Sequence, residues 1–258
     1  MDKIIFVDSN FGRFANQLFP LFVALTIYER DKCYSKIYFK NYHSNHTIKR
    51  IPEYIVEHFS KELKEVVCFD DCKCDEIWEK HKNERESILL IRGYCQDMNL
   101  IDVNILNKYF YCPKDVEMII SNLYGDLSDY ICLHVRRGDY LHSGNENIYP
   151  TLTPEYIDRC IEKYFPCEKV ICISDDMNWC KANLSGNSNI IFADKCDNYL
   201  VDFYIQSMTK GNICSSSSFS VAGSIINPYR KMVIPSPFFK RPIGGINLYP
   251  SWAIKEIL

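Results

Sequence analysis

From residue 130 onward the chain alternates short β-type runs with helical stretches, and this alternation restricts the fold more than any other feature. Tyr130-Ile131-Cys132-Leu133, Lys169 to Ile173, Asn189 to Phe192, Asn212-Ile213-Cys214 and Lys231 to Ile234 are apolar runs of strand length. Between them lie segments with helix signals. Thr153-Pro154-Glu155 supplies a capping hydroxyl, a proline at the first helical position and an early carboxylate, and Ile157, Cys160, Ile161 and Tyr164 then recur on one face. A short helix is expected through Trp179, another from about Asp197 to Met208, another after the serines at 215–218 through Ile226, and a terminal one over Trp252 to Leu258. Strands joined by helices at short spacing mean a parallel sheet covered on both faces.

The first half reads similarly but less regularly. Ile4 to Asp8 is a strand, and Leu18, Leu21, Phe22 and Leu25 place a helix over about Asn16 to Glu29. Lys36 to Lys40, Val66 to Phe69 and Ile88 to Ile91 are further strand candidates, while the pattern weakens from Asn41 to His58. Cys112-Pro113 breaks the chain, giving an N-terminal domain over 1–113 and a C-terminal domain over 114–258. The 258 residues suffice for two such units of about 125 residues each.

Charge and cysteine content exclude several classes. A net charge of −3 gives no basic footprint for nucleic acid, so an anion site must be local. No apolar run approaches the ~18 residues of a membrane span. The acidic start, Met1-Asp2-Lys3, reads as the approach to a strand rather than a secretion signal, so the chain is expected in the cytoplasm. There the thirteen cysteines are expected as reduced, packed thiols. Cys72-Lys73-Cys74 lacks a second ligand pair, and His43 and His46 read as exposed loop histidines, so no metal site is expected.

In parallel sheets ligands bind outside the carboxyl ends of the strands. Gly12 to Gln17, His134 to Tyr140, Ser174 to Asp176 and Ser215 to Ser218 each follow a strand directly, and so gather at such edges. His134-Val135-Arg136-Arg137-Gly138-Asp139-Tyr140 is the most informative. Two guanidiniums match phosphate oxygens in pairs, and glycine lets the backbone turn sharply. A surface Arg–Asp pair in a solvated turn is the plain alternative. Ser215 to Ser218 stand at an expected helix start, where free N–H groups favour an anion. No Asp-x-Asp triplet, P-loop or G-x-G-x-x-G occurs. A diphosphate held by arginines rather than by a divalent ion is the reading these features share.

Five segments together resemble the α-1,2-fucosyltransferases, glycosyltransferase family 11. They are Gly12-Arg13-Phe14-Ala15-Asn16-Gln17, Arg92-Gly93-Tyr94-Cys95-Gln96, the His134 to Tyr140 element, Ser174-Asp175-Asp176-Met177-Asn178-Trp179, and Asp202 through Phe219-Ser220. The resemblance runs from Gly12 to about Phe239. It implies a GT-B-like α/β fold of two Rossmann-like domains with parallel sheets facing a cleft, the first on the acceptor side and the second binding GDP-fucose. It implies inverting, metal-independent fucose transfer, without a cofactor, to a carbohydrate acceptor of galactose type. By the same resemblance Arg136 and Arg137 hold the diphosphate, with Arg136 most tied to leaving-group stabilisation. His134 and Asp139 shape that loop, Asp202 meets the guanine, and Ser217, Ser218 and Phe219 line the diphosphate. Asp175 adds to the binding loop, and Gly12, Arg13 and Asn16 face the reacting centre from the first domain. Asp139 and Glu146 are the carboxylates nearest the motif, and neither is assigned as base. Two positions depart from the family: Lys210-Gly211 where it usually has histidine, and Val221-Ala222 where it usually has two tryptophans. An α-1,6- or protein-directed fucosyltransferase and a silent GDP-sugar-binding protein are the alternatives.

Overall fold

The computed structural model describes residues 3–8, 12–40, 67–68, 71–81, 83, 87–193, 196 and 198–258. His43, His46 and the rest of 41–58 lie outside them. The chain divides into two compact units, Met1–Tyr109 with Gly245–Asn247, and Phe110–Gly244 with Leu248–Leu258. The single cut expected after 113 thus becomes a cut at 109/110 with one return. Asn247 makes that return by accepting from the Met98 N–H at 2.9 Å and donating to the Gln96 carbonyl at 2.8 Å.

In the first unit β1 (Lys3–Asp8) leads into α1 (Phe14–Arg30), β2 (Tyr34–Lys40), β3 (Val67–Cys68), α2 (Asp71–His81), β4 (Ile88–Arg92) and α3 (Val103–Tyr109). The four strands form a parallel sheet in the order β3-β2-β1-β4. Pro20 sits inside α1 without ending it. The helix is buried almost all round from Phe14 to Thr26, so tertiary packing offsets the bond the proline removes. Cys74 is buried with Phe6 and Tyr38, a small hydrophobe in α2.

The second unit runs α4 (Lys114–Tyr124), β5 (Tyr130–Val135), α5 (Pro154–Tyr164), β6 (Lys169–Ser174), α6 (Met177–Leu184), β7 (Ile190–Phe192), α7 (Tyr199–Met208), β8 (Gly211–Ile213), α8 (Ser218–Ile225), β9 (Lys231–Ser236) and β10 (Ile254–Ile257). Its sheet is parallel throughout, in the order β10-β9-β8-β5-β6-β7. Ile131, Cys132, Leu133 and Val135 of β5 are fully buried, as a central strand covered on both faces requires. The Thr153 hydroxyl accepts from the Tyr156 N–H at 3.2 Å and caps α5, as its sequence signature predicts.

The chain leaves β5, winds outward through β6 and β7, and returns to place β8 on the other side of β5. This is the doubly wound order, with its reversal between β5 and β8. In the first sheet the corresponding reversal lies between β1 and β4.

One expectation fails. Trp252 to Leu258 is not a terminal helix but contains edge strand β10, paired with β9, so Lys231–Ser236 is not the last strand. Seven residues are too few for a stable isolated helix. The sheet edge offers backbone partners, and Glu256 binds Arg159 at 3.1 Å and Lys163 at 2.9 Å on α5, with the Tyr164 hydroxyl as a third donor. These donors hold the Glu256 carboxyl down at about 2.

Candidate active site

The loops after β5 and β8 meet at the reversal of strand order. His134, at the end of β5, is buried and shares a 2.6 Å hydrogen bond between its Nδ1 and the Ser215 hydroxyl. Its ring also lies 5.5 Å from that of Phe219. Burial first, then the Arg136 charge, pushes its pKa down to about 3, so the imidazole stays neutral. The Tyr140 hydroxyl donates to the Ser216 carbonyl at 2.7 Å, a second tie between the same loops. Tyr140 stacks on Tyr149, ring centroids 4.4 Å apart, and Phe239 meets Tyr149 edge-on.

Arg136 divides its fork between two carboxylates. Nη2 donates to Asp139 at 2.5 Å and Nη1 faces Asp175 at 2.9 Å. The Arg–Asp pair of the plain alternative therefore exists, between Arg136 and Asp139, but as half of a bridge to the loop after β6. Asp175 also accepts from the Arg137 N–H at 2.9 Å. Gly138 makes this approach possible, because a Cβ there would sit 2.3 Å from Asp175 Oδ2.

Arg137 is held differently. Its Nε donates to Asp176 Oδ2 at 3.1 Å, and its guanidinium carbon lies 4.0 Å from the Trp179 ring centroid. Asp176 Oδ1 accepts from the Trp179 N–H at 3.2 Å, so one carboxylate both caps α6 and orients Arg137. Asp176 and Trp179 were not singled out from the sequence as site residues. Their signal was the Asp-to-Trp spacing of a helix cap, next to the Asp175 that was.

Ser217 is the N-cap of α8, and its side chain makes no capping bond. It is buried, while Ser218 and Phe219 are half-buried in the first turn. Ser216 Oγ is buried without a hydrogen-bond partner among the described residues. Asp202 lies in the first turn of α7, and burial first, then the Cys214 and Asp202 charges, pushes the Cys132 thiol up. Phe203 joins α7 to Phe219 edge-on at 5.5 Å. Gly223 lets the next helix approach, since a Cβ there would meet Gln206 at 2.5 Å. At the departures, Lys210 pairs with Glu168, and a Cβ on Gly211 would lie 2.6 Å from the Phe165 ring. Val221 and Ala222 are buried on α8.

The first unit carries a separate group of motif residues. Gly12 has a φ of +72°, and a Cβ there would overlap the Asn16 amide at 2.1 Å. Asn16 Oδ1 accepts from Gln96 Nε2 at 2.8 Å, joining the loop after β1 to that after β4. Gln17 is buried and donates to the Gly12 carbonyl at 3.3 Å. Arg13, exposed, is the N-cap of α1. Arg92 pairs with Asp8 at 3.2 Å.

Among the described residues no group of three or more His, Cys, Asp or Glu side chains is arranged to hold a metal ion. No helix there is long and apolar enough to cross a membrane. The cysteines at 33, 74, 95, 112, 132, 160, 167, 172, 180, 196 and 214 are free thiols.

Comparison with known proteins agrees with the motifs. Residues 114–234 match the model of glycosyl transferase family 11. The O-antigen biosynthesis glycosyltransferase WbnK of Escherichia coli is 28% identical over an alignment covering 56% of this chain and 54% of that protein. The chain thus matches about half the length of this relative. Among solved structures, the fucosyltransferase NodZ from Bradyrhizobium superposes with a TM-score of 0.54 at 12% identity, covering 86% of this chain and 92% of its own. NodZ α-1,6-fucosyltransferase soaked with GDP-fucose gives 0.55 at 12% identity over 88% and 94%. These likenesses are of fold, and the fold is GT-B-like.

Proposed function

We propose that this chain, whose residues 114–234 belong to glycosyltransferase family 11, transfers fucose from GDP-fucose to a sugar hydroxyl with inversion at the anomeric carbon. One observation carries the reading. Two arginines and the start of α8 stand together at the β5/β8 reversal, tied by the His134–Ser215 and Tyr140–Ser216 hydrogen bonds. That is the position at which doubly wound sheets bind nucleotides.

In the reaction the acceptor oxygen attacks the anomeric carbon as the bond to the β-phosphate breaks. The electron pair leaves with GDP, and the acceptor proton passes to solvent or a base. Charge grows on the departing phosphate, so fixed donors aimed at it favour the transition state over the bound donor. Arg136 and Arg137 supply cationic donors, while Ser217, Ser218 and the first N–H groups of α8 supply neutral ones. Asp202 accepts from the guanine edge. Transfer needs no divalent ion, because the arginines and the helix start take the place of one at the diphosphate. Gly12, Arg13 and Asn16 serve the acceptor, which we take to be of galactose type, and α-1,2 is the linkage the family resemblance supports. Free thiols suit a reducing, cytoplasmic setting.

Incubation with labelled GDP-fucose and a panel of β-galactosides, followed by linkage analysis, tests this. An α-1,2 product is expected. An α-1,6 product would move the acceptor assignment toward the NodZ type, and GDP binding without turnover on any acceptor would leave a silent binding protein.

A further inference from the structure

The two neighbouring arginines are not equivalent. Both terminal nitrogens of Arg136 face carboxylates, those of Asp139 and Asp175. Arg137 is anchored through Nε alone, to Asp176, and no protein hydrogen bond engages its terminal nitrogens among the described residues. A guanidinium recognises phosphate bidentately through a pair of nitrogens. With Nε taken by a carboxylate and one π-face covered by Trp179, Arg137 keeps its terminal pair for such a contact while losing most of its rotational freedom.

We propose that Asp176 and Trp179 are positioning residues: they lock Arg137 so that its terminal nitrogen pair meets the diphosphate of the bound sugar nucleotide. The inference rests on the sugar-nucleotide reading above and extends it to two residues and a division of labour. Arg136 ties the loop after β5 to the loop after β6. Arg137 presents the preorganised fork. Three carboxylates surround the two arginines, so their charge is largely compensated before an anion arrives, and the orientation of the uncommitted nitrogens decides affinity. Trp179 holds its place because its ring packs against the core below α6, and its N–H is the one Asp176 caps. The same carboxylate thus fixes the platform and the guanidinium above it.

The test is a double-mutant cycle on GDP binding, followed by calorimetry, with donor turnover measured alongside. Trp179→Leu in the otherwise wild-type chain is expected to weaken GDP by roughly two- to thirtyfold, the range for losing a partly desolvated cation–π contact. In an Arg137→Ala background the same change is expected to have almost no effect, because the residue it positions is gone. Trp179→Phe keeps an aromatic face and should recover part of the affinity. Asp176→Asn retains an acceptor for the cap and loses the charge facing Nε, so it should weaken GDP while leaving Tm nearly unchanged.

Equal effects of Trp179→Leu in both backgrounds overturn the positioning role, as does unchanged affinity in folded Trp179→Leu. If Trp179→Leu fails to fold, the cycle is read with Trp179→Phe and Asp176→Asn, and additivity there overturns the role equally. A wild-type protein that does not bind GDP overturns the sugar-nucleotide reading itself. Binding without transfer removes only the reaction, and the cycle is then read on affinity.

Discussion

At the carboxyl ends of β5, β6 and β8, two arginines and three aspartates interlock above a buried neutral histidine, whereas the equivalent edge of β1 and β4 is joined by the Asn16–Gln96 amide pair and an Asp8–Arg92 ion pair. Both edges stand where their sheet reverses its strand order. The shared topology supplies a place for a ligand, and the side chains decide its class. The second unit's edge has charge-assisted donors and a helix start, the chemistry of a diphosphate. The first unit's edge adds amides, which suit neutral hydroxyls, to Arg13 and the Asp8–Arg92 pair. A fold of this kind is thus one scaffold used twice, with different residues written on the same position.

The largest expected effect is at Arg136. Lysine keeps the charge but cannot span Asp139 and Asp175 with a planar fork. Arg136→Lys should turn over at least about a hundredfold more slowly with a smaller change in GDP affinity, because the loop that presents the donors loses its brace and a misplacement of about 1 Å costs about that much. If the variant keeps more than about half of wild-type kcat, the charged edge is an ordinary ion-pair cluster. On the other edge Asn16→Ala should leave GDP affinity unchanged and raise the acceptor KM. A weaker GDP complex there would erase the contrast between the edges.

Next come the two glycines. Gly138→Ala drives a Cβ into Asp175 Oδ2, and Gly12→Ala combines a crowded Asn16 with a φ of +72°. Each should destabilise by about 1–3 kcal/mol in urea titrations. Only Gly138→Ala should also weaken GDP, because only it displaces the carboxylate that braces Arg136.

Histidine burial gives a pH-dependent effect of similar size. The His134 pKa is pushed down to about 3, while the unfolded chain has the ordinary value of about 6.5. As pH falls below 6.5 the unfolded state takes up the proton first, so stability is lost progressively toward pH 3 and is fully present above neutrality. The contribution to the slope is about 1.4 kcal/mol per pH unit between roughly pH 6 and 4. His134→Gln should lack that part of the slope in denaturation curves, and an unchanged slope would mean that His134 is not held neutral. The smallest effect expected is that of EDTA on turnover, which should be none. Loss restored by Mn²⁺ would mean that the arginines do not suffice to neutralise the diphosphate.

Much of the second unit was legible because its signals are local. Strand runs, the Thr153-Pro154-Glu155 start and the serine N-terminus of α8 each depend on a few adjacent residues. Their gathering at one edge followed from the parallel-sheet rule alone. What stayed hidden depends on contacts distant in sequence. The strand at Ile254–Ile257 exists because β9 has a free edge and because Glu256 meets Arg159, Lys163 and Tyr164, nearly a hundred residues away. Asp176 stood in the sequence only as part of the loop after a strand, and the fold alone places the Arg137 guanidinium on its second oxygen. The helix at Asp71–His81 was masked by its acidic composition, which reads as a solvated stretch until β1 and β2 supply the surface that buries Cys74.

Hydrogen–deuterium exchange with and without GDP tests the division between the edges most directly, because it reports on both units at once. The account predicts slowed exchange over 134–140, 174–179 and 215–221 on GDP binding, with 12–17 and 92–96 unchanged. Protection confined to 12–17 and 92–96, with the Arg136–Arg137 loop untouched, would contradict it.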